Sequence, residues 1–339
     1  MAVLYVREQG SSLCKRGGRL LVEKDGKQLL EIPLRETDSV AVFGNVQVTT
    51  QALSELLERS IPLVFFTRNG RIKGHLAPEA AKNVPLRLAQ YKASQDEARA
   101  LALAKASVRA KLLNCAALIT DYRAHYPSAE LEQAADTLAC AADKAMAASS
   151  HSELLGCEGA GAAAYFRAFG AMNRSGLPFE TRRMHPPPDP VNALLSLGYT
   201  LAMNELRAAA EARGLEPYIG FLHQIHYGRP SLALDLLEPF RPAVADRLTL
   251  RLINERILKA EDFARRLSSP GGVILTPEAF KRYLGHYESA VTEPRKAAPR
   301  GLREAMREDV GRLSHALEGG GPFQPYLESD GCCTSFHTT

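Results

Sequence analysis

The spacing of hydrophobic residues along the chain changes near residue 80. Before this point, apolar residues occur in short β-prone runs separated by turn residues. These runs are 3–6, 19–22, 28–34, 39–43 and 62–66. After it, alanine and leucine dominate and apolar positions recur at helical spacing. The helical segments are 86–122, 131–148, 152–169, 191–213 and 242–258. The pattern predicts an α+β fold, in which a small N-terminal β-rich domain precedes a larger all-helical domain.

One predicted helix carries a glutamate among small residues. Ser150 and Glu153 fit a capping box, so the helix begins there and Glu158 falls in its second turn. Gly161 and Tyr165 lie on the same face as Glu158. The small side chains of this face leave room for another helix, a metal ion or a DNA backbone. A lone glutamate on an alanine-rich helix can equally point to solvent.

A second helix brings two more carboxylates together. Pro230 and Ser231 open a short apolar helix, and Pro239 disfavours helical geometry at the residue before it. Glu238 should therefore lie on or just past the last turn, on the same face as Asp235. A carboxylate in this place meets the negative end of the helix dipole and a like-charged neighbour. The arrangement is costly unless a cation compensates it, and a divalent ion would do so.

His223 lies shortly before this helix and completes a possible donor set. A lone histidine beside Phe221 and Leu222 is more often structural than a ligand, and His226 competes for the same role. Carboxylate oxygens with one imidazole suit Mg²⁺ or Mn²⁺. The six cysteines include no Cys-x-x-Cys pair, which argues against a structural zinc site.

Three parts of the sequence resemble one known family. The segments are LLGCEGAGAAAYF at 154–166, PPPDPVNALLSLGY at 186–199, and GFLH at 220–223 with GRPSLALDLLEPFRP at 228–242. They are similar to the signatures of the CRISPR-associated integrase, the metal-dependent enzyme of spacer acquisition. The resemblance extends from about residue 1 to about residue 315, and the motifs follow in the family's order.

The resemblance implies the identity of the site residues. Glu158, His223 and Glu238 match the residues that bind the catalytic Mg²⁺ or Mn²⁺ in the family. For Asp235 three roles stay open: a further ligand, a residue that orients a ligand, or a restraint on Arg241. The orienting role is preferred, because metal-binding histidines commonly need such a partner.

Several residues near the motifs are candidates for contacts with DNA. Arg182 and Arg183 precede a stiff proline run, which would present them at a fixed position. Arg229 and Arg241 flank the Asp235–Glu238 pair. All four arginines could instead be ordinary solvated charges. Tyr165 could either stack on a base or pack in the helical core.

The resemblance also implies an activity and partners. The activity is that of a metal-dependent DNA integrase with endonuclease side activity, which inserts captured spacer DNA into a CRISPR array by attack of a 3′-hydroxyl on a repeat phosphodiester. The implied partners are double-stranded DNA, a second copy of the chain, a small ferredoxin-like companion protein and, in some relatives, a RecB-type iron–sulfur nuclease. The alternatives are a non-catalytic DNA-binding scaffold and a related integrase of a mobile element.

These inferences divide the 339 residues into three parts. Residues 1–80 form a β-rich dimerisation domain, 81–315 an α-helical metal-dependent catalytic domain, and 316–339 a flexible Gly-rich tail that contains Cys332 and Cys333. The formal charge of +4 permits a polyanionic partner without requiring one. No uncharged apolar run approaches the length of a membrane span, and the first residues lack signal-peptide zones, so a cytoplasmic location is expected.

Overall fold

The computed structural model describes residues 2–76, 81–183, 186–265 and 272–328. The chain divides into two compact units, Met1–Ala81 and Lys82–Thr339. The first is rich in strands and the second is mostly helical. The predicted α+β fold class is therefore confirmed.

In its described part, the N-terminal unit contains two four-stranded sheets. The strands are β1 (Ala2–Val6), β2 (Ser12–Arg16), β3 (Arg19–Lys24), β4 (Lys27–Pro33), β5 (Thr37–Phe43), β6 (Gln47–Val48), β7 (Leu63–Phe66) and β8 (Ile72–Leu76). One sheet has the order β1-β5-β7-β8, with β8 antiparallel to its neighbour and the other pairs parallel. The other has the order β4-β3-β2-β6. Helix α1 (Thr50–Glu58) begins at Thr49, whose hydroxyl accepts a hydrogen bond from the Ala52 amide.

The strands and this helix share a core of aliphatic side chains. Leu13, Val40, Leu56 and Leu63 are fully buried within it. These residues come from both sheets and from α1, so burial of their apolar surface is what holds the elements of this unit together.

The helical unit is built from nine α-helices in its described residues. They are α2 (Val84–Gln95), α3 (Glu97–His125), α4 (Ala129–Ala147), α5 (His151–Met172), α6 (Pro190–Arg213), α7 (Ser231–Leu237), α8 (Arg247–Asn254), α9 (Pro277–Thr292) and α10 (Leu302–Leu317). A short antiparallel hairpin of β9 (Phe263–Arg265) and β10 (Val273–Leu275) precedes α9. Half of the predicted capping box of α5 is observed: the Ser150 hydroxyl accepts from the Glu153 amide, whereas the Glu153 carboxylate accepts from Ser149 instead of from the Ser150 amide.

The chain between α7 and α8 is irregular. Glu238 caps the C-terminus of α7, as predicted, and begins the 3-10 turn Glu238–Phe240. A π-helical turn, Pro242–Asp246, follows before α8 begins. Two prolines here lack amide donors, so a regular α-helical ladder cannot run through the segment. The helix predicted over 242–258 is observed as this turn followed by the shorter α8.

The prediction of a flexible tail is wrong for the part of it that the structure describes, which ends at residue 328. Phe323 and Tyr326 are buried, and the Tyr326 ring stacks on Phe240 with centroids 4.8 Å apart. Aromatic burial of this kind outweighs the flexibility that the preceding glycines suggest. Residues 329–339, with Cys332 and Cys333, lie outside the described residues.

No helix within the described residues is both long and apolar enough to cross a membrane.

Candidate active site

The structure brings the three predicted site residues from distant parts of the chain into one cluster. Glu158 lies on α5, His223 in the loop before α7, and Glu238 at the end of α7. The His223 Nε2 atom is 3.9 Å from Glu238 Oε1. Glu158 and Glu238 are joined through Lys111, whose ammonium group contacts a carboxylate oxygen of each.

Lys111 is a site residue that the sequence reasoning missed. It projects from the middle of the long helix α3, and its Nζ atom is 2.7 Å from Glu238 Oε2. Burial would lower the pKa of Lys111, but the charges of Glu238 and Glu158 outweigh this effect and raise the pKa. Lys111 therefore carries a positive charge between the two carboxylates.

Glu238 is the most enclosed of the three residues, with 4% of its surface exposed. Arg241 Nη2 is 3.0 Å from Glu238 Oε1, one turn away on the same segment. Burial alone would raise the pKa of Glu238, but chiefly the charges of Arg241 and Lys111 lower it to about 2. The carboxylate is therefore ionised at neutral pH, as a metal ligand must be.

Asp235 shapes the loop that presents His223. Its carboxylate accepts backbone hydrogen bonds from Phe221 (2.6 Å), Leu222 (2.9 Å) and His223 (3.0 Å). A Cβ atom at Gly220 would lie 2.7 Å from Asp235 Oδ2, so the loop can approach this closely only because residue 220 is glycine.

Asp235 also fixes the histidine ring. The His223 Nδ1 atom lies 2.6 Å from Asp235 Oδ1, which can only accept when ionised and so assigns a ring proton to Nδ1, while Nε2 lies 3.9 Å from Glu238 Oε1. A carboxylate behind a histidine is the usual support of a metal-binding imidazole. The geometry favours the orienting role of Asp235 over direct ligation.

The donor set fits a divalent cation. Two carboxylates and an imidazole nitrogen are ligands that Mg²⁺ and Mn²⁺ accept. Glu238 Oε2 lies 2.7 Å from Lys111 Nζ and receives no hydrogen bond from any other donor in the described residues. Among the described residues, no three histidine, cysteine, aspartate or glutamate side chains are close enough to hold an ion as they stand. In the described structure, Lys111 lies between Glu158 and Glu238.

A second residue of α3 that sequence reasoning missed supports the turn after Glu238. Asn114 lies one turn after Lys111 and is buried. Its amide nitrogen donates to the carbonyl oxygens of Pro239 (2.7 Å) and Tyr326 (3.0 Å), and its oxygen accepts from the Glu328 amide (2.8 Å). All three of its hydrogen bonds therefore hold the Glu238 turn and the C-terminal segment against α3.

Comparison with known proteins identifies the family. The sequence model of the family described as CRISPR associated protein Cas1 matches residues 4–289. The chain belongs to the Cas1 family. The resemblance found in the three motifs is therefore confirmed.

Curated Cas1 relatives match nearly the whole chain. CRISPR-associated endonuclease Cas1 2 of Rhodospirillum rubrum is 40% identical over 316 residues, which cover 88% of this chain and 90% of the relative. A CRISPR-associated exonuclease Cas4/endonuclease Cas1 fusion of Geobacter sulfurreducens is 38% identical over 338 residues. That match covers 95% of this chain but only 59% of the fusion protein.

Solved structures with the same fold include a Cas1 protein, a casposase and a complex that contains Cas1. The structure of TM1797, a Cas1 protein from Thermotoga maritima, has a TM-score of 0.81 and 27% identity, covering 94% of this chain and 97% of that one. A casposase bound to integration product has a TM-score of 0.83 over 96% of this chain and 93% of that chain. At 22% identity, it shows the fold alone. A Cas6-RT-Cas1–Cas2 complex also matches, with a TM-score of 0.83, 26% identity and coverage of 97% of this chain and 36% of that one.

Tyr165 is not available for stacking on a base. It is 2% exposed, and its hydroxyl donates to Asp246 Oδ2 at 2.6 Å. Asp246 also accepts from Tyr199, and burial raises the pKa of Asp246 to about 6. Of the two roles that the sequence left open for Tyr165 in this Cas1-family chain, the structure favours core packing, because a buried ring cannot reach DNA. The assignment of Tyr165 as a DNA contact is corrected accordingly.

Arg182 and Arg183 differ although they are neighbours. Arg182 donates to Asn192 Oδ1 (2.9 Å) and Ser196 Oγ (3.1 Å) at the start of α6, and its guanidinium lies 5.2 Å from the Tyr199 ring centroid. Its side chain is therefore engaged within the fold. The side chain of Arg183 is exposed, while its backbone amide donates to Asn192 Oδ1 at 2.8 Å. Arg183 is the better placed of the two to meet a phosphate.

Arg229 and Arg241 have partners within the site region. Arg229 donates to the carbonyl oxygen of Gln224 and to Ser231 Oγ, which closes the loop after His223. Arg241 pairs with Glu238 and lies 4.5 Å from the Tyr199 ring centroid. Arg229 is partly exposed. The guanidinium of Arg241 is engaged in the ion pair with Glu238.

Proposed function

We propose that this Cas1-family chain is a metal-dependent DNA integrase that inserts captured DNA spacers into a CRISPR array. The observation that carries the proposal is that Glu158 and Glu238 face one cation, the Lys111 ammonium, while His223 Nε2 lies 3.9 Å from Glu238 Oε1, although the three residues come from separated segments. The names of the curated relatives, which are CRISPR-associated endonucleases, support the same class of activity.

The reaction is a transesterification. A 3′-hydroxyl at the end of the captured DNA attacks a phosphodiester in the repeat, a new phosphodiester forms, and the old one leaves a 3′-hydroxyl on the repeat strand. One phosphodiester bond is formed and one is broken, so no nucleotide cofactor is needed. Attack by water at the same phosphorus would hydrolyse the strand, which accounts for an endonuclease side activity.

Glu158, His223 and Glu238 would hold Mg²⁺ or Mn²⁺. The bound ion would supply Lewis-acid stabilisation of the negative charge that develops on the phosphate and on the leaving oxygen. Asp235 keeps the His223 ring in the tautomer whose Nε2 can act as a ligand. Arg241 holds Glu238 in place through the 3.0 Å ion pair.

The partners of the reaction are part of the proposal. The substrate is double-stranded DNA, as the captured spacer and the CRISPR repeat, and the chain would act as a homodimer. A small ferredoxin-like companion protein is supported by the solved complex of Cas1 with Cas2. A RecB-type iron–sulfur nuclease is supported by the Geobacter relative, in which Cas1 is fused to the exonuclease Cas4.

Two other functions would use the same fold. An integrase of a mobile element is supported by the likeness to the casposase, and the genomic neighbours of the gene would separate the two, since a repeat array favours spacer integration. A non-catalytic DNA-binding scaffold is disfavoured, because both carboxylates, the imidazole and the carboxylate behind it are retained and meet.

The proposal is tested by strand transfer with variants of the three residues. Glu158→Gln, His223→Ala and Glu238→Gln should each lower Mn²⁺- or Mg²⁺-dependent joining by roughly 100-fold or more, because each removes a ligand of the ion. Glu130→Gln, a matched change on the exposed start of α4, should leave joining unchanged. Wild-type rates in any of the three variants would remove that residue from the site.

A further inference from the structure

Lys111 stands where a divalent ion would be needed. Its ammonium contacts Glu158 Oε1 and lies 2.7 Å from Glu238 Oε2, so it uses one oxygen of each carboxylate proposed as a ligand. An ion held by both Glu158 and Glu238 would lie between the same two carboxylates. The two cations cannot occupy this space together, because a divalent charge and an ammonium group at contact distance repel strongly.

The site needs one of these cations. Glu238 is buried and its other oxygen is already paired with Arg241, so Oε2 and the facing carboxylate of Glu158 depend on a further positive charge. Leaving like charges together in a buried place without compensation is strongly destabilising. Lys111 provides this charge in the described structure.

Lys111 is also able to leave. Its charge is at the end of four flexible methylene groups, so the ammonium can move without any movement of α3. Its side chain is 13% exposed, so part of it already reaches the surface although the ammonium is enclosed by the two carboxylates. Arginine in the same position would form a bidentate ion pair with a carboxylate and would be harder to displace.

We propose that the Lys111 ammonium and the divalent ion are alternative occupants of the position between Glu158 and Glu238. Lys111 neutralises the carboxylates when the ion is absent and is displaced when the ion binds. Lys111 is thus a positioning residue that keeps the empty metal site assembled. This inference rests on the proposed function, because it takes Glu158 and Glu238 as metal ligands.

The test is calorimetric titration of MnCl₂ into the full-length, EDTA-treated protein without DNA. Lys111→Met should bind Mn²⁺ at least about tenfold more tightly than the wild type, because the ion no longer has to displace an ammonium group. Lys105→Met removes the same charge from the same helix, six residues away beside Glu153, and should change the affinity less than about twofold. Equal affinities of Lys111→Met and the wild type would overturn the proposal.

Thermal unfolding gives a second readout. In EDTA, Lys111→Met should melt at a lower temperature than the wild type, and saturating Mn²⁺ should remove the difference. If Lys111→Met does not fold, Lys111→Arg answers the question, since it should bind Mn²⁺ more weakly than the wild type. Equal or tighter binding by Lys111→Arg would contradict displacement.

A measurement on the unaltered protein follows Lys111 itself. Acylation of lysines, located by mass spectrometry, should label Lys111 faster in saturating Mg²⁺ than in EDTA, because displacement frees the amine. An unchanged rate at Lys111 would overturn the proposal.

Failure of this inference can be distinguished from failure of the proposed function. If Glu238→Gln retains full Mn²⁺ binding, the metal site itself is wrongly placed. If Glu238→Gln loses binding while Lys111→Met binds no more tightly than the wild type, only the role of Lys111 is wrong.

Discussion

Asp235 illustrates how one side chain can shape the whole site. Its two oxygens accept three backbone hydrogen bonds from residues 221–223 and face the His223 ring. The side chain is 4% exposed, so these hydrogen bonds replace those that water would make. The position of the imidazole and the shape of the loop are therefore set together.

We expect Asp235→Asn to lower both stability and activity. The NH₂ group of asparagine would face the backbone N–H donors of residues 221–223 and leave a buried N–H group without an acceptor. This should cost about 1–3 kcal/mol in the free energy of unfolding. Strand transfer should fall by about 10–100-fold, less than in Glu238→Gln, because the ring of His223 loses its support but the ligands remain. Urea unfolding and joining rates measure the two effects. A loss of activity equal to that of Glu238→Gln with unchanged stability would instead make Asp235 a ligand.

The sequence predicted those residues of the site that belong to local motifs. Glu158, His223 and Glu238 could be named because each lies in a recognisable pattern of neighbours. Lys111 could not, because a lysine in a long alanine- and leucine-rich helix is usually solvated, and its burial depends on partners 47 and 127 residues away. Whether Tyr165 packs in the core or stacks on a DNA base likewise could not be decided from the sequence, because its hydroxyl partner Asp246 is 81 residues away.

At the level of elements, the segment after α10 secures the turn that carries Glu238. The Tyr326 ring stacks on Phe240, and Glu328 lies 3.4 Å from Arg247 and 3.6 Å from Arg295. Asn114 joins the same segment to α3. These contacts tie the C-terminal segment to the elements around the site.

Two truncations should separate the roles of this segment. A chain that ends at residue 328 keeps these contacts and should unfold at the temperature of the full-length protein. A chain that ends at residue 317 loses the buried Phe323 and Tyr326 and two of the three hydrogen bonds of Asn114, so its free energy of unfolding should fall by about 2 kcal/mol or more. Thermal unfolding and strand transfer measure the result. Equal stability of the two truncated chains would show that the segment does not support the site.

The loop before α6 gives a second prediction at this scale. Arg183→Ala should weaken binding to DNA of any sequence and reduce the salt dependence of the affinity by about one phosphate contact. Arg182→Ala should mainly lower stability, because Arg182 is bonded to Asn192 and Ser196. Binding titrations at several salt concentrations measure the slope. An unchanged slope in Arg183→Ala would assign this arginine to the solvated surface.

Sequence patterns predicted most elements but not all of their boundaries. The run predicted as one helix over 86–122 is two helices, because Asp96 ends α2 and caps α3. The strands β2, β6, β8, β9 and β10 and the helices α9 and α10 were not predicted. Strand β6 has two residues and exists only through its pairing with β2, which a local pattern cannot reveal.

At the scale of the whole molecule, the family match covers the candidate site residues but not the C-terminal segment that supports them. The Cas1 family model matches residues 4–289, while α10 and the segment that bonds Asn114 lie beyond it. The formal charge of +4 is small for a protein proposed to bind two DNA molecules. DNA binding must therefore depend on where the cations lie rather than on the net charge.

The most direct test of the account is a strand-transfer assay with two donor DNAs that differ only in their 3′ ends. One donor ends in a 3′-hydroxyl and the other in a 3′-deoxy nucleotide, and each is offered with supercoiled repeat-containing DNA and the companion protein. The account predicts covalent joining of the 3′-hydroxyl donor alone, only with Mg²⁺ or Mn²⁺, and none with Glu158→Gln or Glu238→Gln. Joining of the 3′-deoxy donor, joining in EDTA, or wild-type joining by either variant would contradict metal-dependent transesterification at this site.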